Sequence, residues 1–86
     1  MGQPQDAFIQ HTAALTVATE IGDRYEQARA YSGLAHTYYS IDDPEQARDN
    51  WRQALTHYTD LALPEADNIR AALAALDQAQ QGDSPG

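Results

Sequence analysis

Residues 44–61 read PEQARDNWRQALTHYTDL, and residues 4–21, forty positions earlier, read PQDAFIQHTAALTVATEI. The two stretches share a proline, two alanines, two threonines and a leucine at matching positions. An internal repeat of this length predicts a fold built from stacked copies of one structural unit. The identical pairs are Pro4 and Pro44, Ala7 and Ala47, Ala14 and Ala54, Leu15 and Leu55, Thr16 and Thr56, and Thr19 and Thr59.

The repeated unit has the sequence pattern of helices. Prolines recur at positions 4, 44 and 64, on a twenty-residue grid whose remaining point holds Gly22-Asp23. Proline is tolerated at the first position of a helix, where its missing N–H would have no partner. The apolar residues of the 44–61 stretch follow helical spacing, as one buried stripe would. We therefore predict an all-α fold, an antiparallel array of four helices at about 4–21, 24–40, 44–60 and 64–80, with a disordered polar tail at 81–86.

Aspartates mark the starts of two of these helices. Asp23 and Asp43 stand at the predicted N-cap positions, where a side-chain oxygen accepts a bond from a free N–H of the first turn. Glu26 and Gln46 follow three residues later, so each pair has the spacing of a reciprocal capping box.

Composition restricts the classes of function. The chain has 86 residues, enough for one small domain, and its lack of cysteine excludes disulfides and thiolate metal sites. Its net charge is -8 and it contains no lysine, which argues against binding to nucleic acid or to anionic membranes. No apolar stretch approaches the roughly 20 residues of a membrane span. We expect a cytoplasmic domain, because the chain also lacks the features of a signal peptide.

No catalytic, cofactor-binding or metal-binding site is predicted. The three histidines, His11, His36 and His57, fall on three different predicted helices and have no metal-ligand spacing. The serines lack a nucleophile motif, and the carboxylates have the positions of helix caps and solvated faces. We expect neither an enzyme nor a cofactor.

The apolar positions resemble a tetratricopeptide repeat. The family's pattern on its first helix is matched by Tyr31, Leu34, Ala35 and Tyr38, and the pattern on its second helix by Ala47, Trp51, Ala54 and Leu55. The resemblance implies that helix one is the second helix of an earlier repeat, with His11 in place of the expected aromatic residue. Helix four takes the next first-helix position, where alanines replace most signature residues, and we interpret it as a terminal capping helix.

The run IGDRYEQARA at residues 21–30 is similar to one context in particular. It resembles the C-terminal repeat regions of actinobacterial transcriptional activators that control antibiotic production. In that family such regions are interaction or regulatory modules without catalysis of their own. The resemblance implies that this chain is the C-terminal part of a larger regulator.

The family alignment also implies a partner-binding groove on helix two. Its residues lie on one stripe of that helix and could hold a peptide carboxylate with its apolar neighbours. The family's lysine/asparagine clamp is not reproduced, since Ser32 and His36 occupy the two principal clamp positions. The predicted groove residues are Arg29, Ser32, Gly33, His36 and Tyr39.

The two repeat copies differ on one face. Asp49, Gln53 and His57 form a polar stripe on helix three, and their equivalents on helix one are Ile9, Ala13 and Val17. Exposed apolar stripes usually mark contact surfaces. We predict that these three residues, with Phe8, contact an upstream repeat or a second copy of the chain.

The leading interpretation is a non-catalytic module that binds a peptide or helix of a protein partner in the helix-two groove. One alternative is a structural module for oligomerisation or capping, acting through the apolar face of helix one. Another is one end of a larger repeat array that senses a small molecule.

Overall fold

The computed structural model describes the backbone of residues 4–82 and the side chains of residues 4–79. Within these residues the fold is all-α and has no strands, in agreement with the predicted fold class. Helix α4 begins one residue after its predicted start and includes Gln81 and Gly82. The rest of the predicted tail, residues 83–86, lies outside the described residues. The helices are α1 (Pro4–Ile21), α2 (Arg24–Ser40), α3 (Pro44–Asp60) and α4 (Glu65–Gly82).

The three connections between helices differ in length but contain the same turn at the end of the preceding helix. Each contains one residue with positive φ, at positions spaced by twenty: Gly22 (73°), Asp42 (67°) and Ala62 (56°). The residue after it donates its N–H to a carbonyl five positions earlier, which closes the end of the preceding helix. These bonds run from Asp23 N to Ala18 O (2.9 Å), Asp43 N to Tyr38 O (3.0 Å) and Leu63 N to Tyr58 O (3.0 Å).

The two predicted helix caps are formed, but the reciprocal half of each capping box is replaced. The carboxylates of Asp23 and Asp43 accept bonds from the N–H groups of Glu26 (3.1 Å) and Gln46 (3.2 Å). The aspartates' own N–H groups, which a capping box would give to those side chains, bond instead to the preceding helix. Such short connections leave the cap N–H within reach of the helix that has just ended.

The core lies between α2, α3 and α4. Small alanines on facing helices allow close approach, and the large side chains of Trp51, Tyr58 and Ile69 fill the space between them. Among the described residues of α1, Ala18 alone is buried. Helix α2 packs between α1 and α3, and α4 packs on α3 beside α2, where Tyr25 bonds to Glu65. Helix α1 is therefore the least covered of the four.

Candidate partner-binding site

The predicted groove residues do not lie together. Their stripe spans roughly 120° around α2 at about 100° per residue, which is wide enough for its two edges to face different helices. Ser32 and His36 face α3 and α4, where they line a pocket. Tyr39 is on the same side, and its ring centroid is 6.0 Å from that of Trp51.

Arg29 and Gly33 belong to the other edge, beside α1. The Arg29 guanidinium forms a 3.3 Å ion pair with Glu26, next to a small hollow of about 140 Å³ that includes His11. Gly33 lies directly beneath the His11 ring, and a Cβ placed on Gly33 would overlap that ring. The groove that the family alignment implied is thus divided between two surfaces.

The pocket next to Ser32 and His36 has a volume of about 310 Å³ and is formed by three helices. The third of these, α4, contributes a carboxylate and an amide, from Glu65 and Asn68, on the same side as the buried Ile69. Sequence reasoning did not find the α4 residues, although their spacing of three places them on one helix face. The lining residues are Ser32, His36, Trp51, Tyr58, Glu65, Asn68, Ile69 and Ala72.

Trp51 is the pocket residue with an unmet hydrogen-bonding group. Its side chain is 4% exposed, and its indole Nε1 is buried without a hydrogen-bond partner among the described residues. The His36 ring meets it edge to face, with centroids 5.3 Å apart and planes at 88°. A buried donor without a partner costs free energy that a hydrogen-bond acceptor would recover.

The α4 side of the pocket is acidic. The Tyr25 hydroxyl donates to Glu65 Oε2 at 3.1 Å, and this bond, together with the carboxylate's charge, raises the pKa of Tyr25 above its usual value of 10.0. Burial raises the pKa of Tyr58 as well. Among the described residues, those that line the pocket include no arginine. Its polar groups therefore suit a ligand with hydroxyl, amide or cationic groups better than the carboxylate ligand considered from the sequence.

The arginines are largely occupied by carboxylates. Two pairs connect different helices, Arg24 with Asp60 at 2.6 Å and Arg48 with Asp77 at 2.9 Å. Arg29 and Arg70 pair with acidic residues three positions earlier on their own helices. These ion pairs lower the positive charge available for binding phosphates.

The apolar stripe of helix one is exposed to solvent. Ile9 is 68% exposed and Val17 55% exposed, and Ala13 lies between them on the same face. Ile21 continues this face and is 70% exposed. Phe8 was predicted to form one contact surface with the stripe of helix one. Its half-buried ring instead packs against Tyr38, with centroids 4.7 Å apart. We call Ile9, Ala13, Val17 and Ile21 the α1 face.

None of the helices in the described residues is both long enough and apolar enough to cross a membrane. Within the same part of the chain, no group of three or more histidine, cysteine or acidic side chains is placed to hold a metal ion.

Comparison with known proteins agrees with the architecture. The model of the tetratricopeptide repeat family matches residues 1–60, the part of the chain that contains α1, α2 and α3. Comparison with curated proteins gave no match, and neither did comparison with solved structures. Tetratricopeptide repeats generally mediate protein–protein interaction. Because the family model matches more than half of its length, the chain belongs to the tetratricopeptide repeat family.

Proposed function

We propose that this domain is a non-catalytic interaction module that binds a peptide or helix of a partner protein in the pocket between α2, α3 and α4. The observation that carries the proposal is the pocket of about 310 Å³ itself, in which the polar groups of Ser32, His36 and Asn68 lie beside the rings of Trp51 and Tyr58. A bound peptide can supply backbone groups that pair with these polar side chains, and apolar side chains to pack beside Ile69 and Ala72.

The carboxylate of Glu65 at the pocket indicates which charge the ligand should carry. Glu65 and Asn68 border the pocket, while Arg29 stands apart from it on the α1 side. We therefore infer a ligand segment that carries a lysine, arginine or amide side chain next to an apolar one. An anionic segment would meet the carboxylate of Glu65 in a domain with a net charge of -8.

Selection of ligands from a displayed peptide library tests this function. Trp51 is the only tryptophan in the chain, so its fluorescence reports directly on occupation of the pocket. We expect selected peptides to change the Trp51 emission and to lose about tenfold in affinity, about 1.4 kcal/mol, when Asn68 is replaced by alanine. Asp49→Ala, at an exposed position on α3 outside the pocket, is the matched control. Ligands that bind equally well to Asn68→Ala and leave the emission unchanged would overturn the proposal.

The wider context that we propose is a bacterial transcriptional regulator of the actinobacterial antibiotic-regulatory type, acting in the cytoplasm. Its support is the IGDRYEQARA run, in which Gly22 and Asp23 form the connection and Ala28 and Ala30 are buried. The acidic charge favours a role other than DNA contact for this domain. The reading frame of the gene tests the context: a DNA-binding domain encoded in that frame supports it, and a frame without one contradicts it.

A second candidate function is a structural contact through the α1 face. The observation in its favour is that Ile9, Val17 and Ile21 are each more than half exposed on one side of one helix. If the face exists for contact, it contributes little to the fold of the isolated domain. Ile9→Glu should then change the free energy of unfolding by less than about 0.5 kcal/mol. A larger loss in chemical denaturation would show that the face belongs to the domain's own core.

A further inference from the structure

Tyr25 bonds to a residue of the pocket, although Tyr25 does not line the pocket itself. Its hydroxyl donates to Glu65 Oε2 at 3.1 Å. Tyr25 stands in the first turn of α2 and Glu65 in the first turn of α4, so the bond joins two of the three helices that form the pocket. It restrains the Glu65 carboxylate at the end of the pocket where both helices begin.

The Tyr25 ring is supported in turn by Tyr58. The two rings meet edge to face, with centroids 6.1 Å apart and planes at 65°, and the Tyr58 side chain is buried. The bond to Glu65 and the charge of that carboxylate raise the pKa of Tyr25 above 10.0. The Tyr25 hydroxyl therefore keeps its proton, and remains a hydrogen-bond donor, at neutral pH.

The bond leaves most of the Glu65 carboxylate free for a ligand. An ionised carboxylate has about four acceptor positions, and the Tyr25 hydroxyl takes one of them. Because this donor is uncharged, it does not neutralise the carboxylate. The arginines on either side of Tyr25 along α2, Arg24 and Arg29, form their ion pairs with other carboxylates. Glu65 therefore presents its negative charge to the pocket in a restrained position.

Restraint of Glu65 favours a basic ligand side chain in two ways. Immobilising a long side chain when a ligand binds costs conformational entropy, and a carboxylate that Tyr25 already holds avoids much of that cost. A held carboxylate also cannot turn away into water, so an uncharged side chain that covers it leaves a charge without a partner. Both effects widen the difference in affinity between a basic and an uncharged ligand side chain.

The position of Glu65 also sets the spacing of the ligand's side chains. Glu65 and Ala72 both line the pocket and are seven residues apart on α4, which is about 10 Å along the helix. In an extended ligand segment, a basic and an apolar residue about three positions apart would cover this distance. In a helical segment the two residues would be about seven positions apart.

We propose that Tyr25 is a positioning residue of the pocket: by holding Glu65, it determines the preference of the pocket for a basic ligand side chain over an uncharged one at that end. The inference rests on the proposed function. It adds the residue that sets the preferred charge of the ligand and the place in the pocket where that charge binds.

Peptides that differ in one charge test the role of Tyr25. The probe is the tightest-binding peptide from the displayed library, synthesised with lysine or norleucine at its basic position, since norleucine keeps the apolar chain of lysine without the ammonium group. We expect the wild type to bind the lysine peptide about tenfold more tightly, with Kd measured from the Trp51 emission. Tyr25→Phe keeps the ring on Tyr58 but removes the hydroxyl, and it should reduce this preference to about threefold or less.

Two further variants separate positioning from a general effect on the fold. Tyr31→Phe removes the same hydroxyl from the same helix at a residue outside the pocket, and it should keep the tenfold preference. Glu65→Gln should abolish the preference, and Tyr25→Phe added to it should change nothing further, because Tyr25 acts through Glu65. Loosening of α4 would instead weaken the binding of both peptides by the same factor.

Different results would overturn different claims. Peptides that leave the Trp51 emission unchanged and bind equally well to Asn68→Ala overturn the proposed function, and this inference with it. Peptides that depend on Asn68 but keep the tenfold preference in Tyr25→Phe overturn this inference alone. Equal losses of affinity for both peptides in Tyr25→Phe, or selected peptides that carry no basic residue, overturn it as well.

Discussion

The imidazole of His57 stacks on the phenol ring of Tyr31 while its Nδ1 accepts a hydrogen bond from Arg24 at 3.3 Å. Only the unprotonated imidazole can accept that bond. Burial and, secondly, the charge of Arg24 lower the pKa of His57 below its usual value of 6.5, with Asp60 acting in the opposite direction. The contact between α2 and α3 therefore depends on a neutral histidine.

The first prediction concerns the stability of the domain in mild acid. Because the pKa of His57 is lower in the folded than in the unfolded state, the unfolded state binds more protons as the pH falls through 6.5. The stability that neutral His57 contributes is fully present above pH 6.5 and is lost as the pH falls through the lower pKa of the folded state. Urea denaturation at pH 7.5 and 5.5 should show a larger fall in unfolding free energy for the wild type than for His57→Gln. Equal falls in the two proteins would contradict a lowered pKa of His57 in the folded state.

The second prediction concerns the contact between Gly33 and His11. Alanine normally stabilises a helix interior by about 1 kcal/mol relative to glycine. Here the added Cβ would overlap the His11 ring and displace it from its position on α2. We expect Gly33→Ala to lower the free energy of unfolding by about 1 kcal/mol, measured by chemical denaturation.

The His11→Ala background is the control for this contact. Without the ring, Gly33→Ala should raise the unfolding free energy by about 1 kcal/mol, as its helix propensity alone would. The change of sign between the two backgrounds is the diagnostic result. If Gly33→Ala stabilised both proteins, the ring would not be packed on the glycine.

The third prediction concerns the connection between α3 and α4. Ala62 has a φ of 56°, a conformation in which the Cβ of an L-residue is strained and glycine is not. Ala62→Gly should raise the midpoint of thermal unfolding and add about 0.5–1 kcal/mol of stability. Gly22→Ala provides the reverse comparison, because Gly22 has a φ of 73° and the Cβ of an alanine there would meet open space. It should cost about 1 kcal/mol through backbone strain alone.

Local signals explain how well the helices could be predicted. The cap at Asp43 and the proline at position 44 act within one turn, so their effect can be read from neighbouring residues. The repeat comparison likewise predicted that the apolar side chains of Ile9 and Val17 are exposed, because the equivalent residues on helix three are polar.

The site was less predictable because it depends on contacts between helices. Helical spacing places Arg29 and His36 on one stripe of α2, but the positions of α1 and α4 decide which pocket each side chain reaches. Glu65 and Asn68 enter the site only because α4 packs beside α2 on α3. The contact of Phe8 with Tyr38 has the same origin, and periodicity within one helix carries no information about it.

The uniform connections at Gly22, Asp42 and Ala62 allow this architecture to change in length. A forty-residue segment begins and ends with the same turn, so a further segment can be inserted at a connection without new loop geometry. Each addition would create one more three-helix pocket, whose side chains could diverge independently of the others. The number of binding pockets could therefore grow while the turns that connect the helices stayed the same.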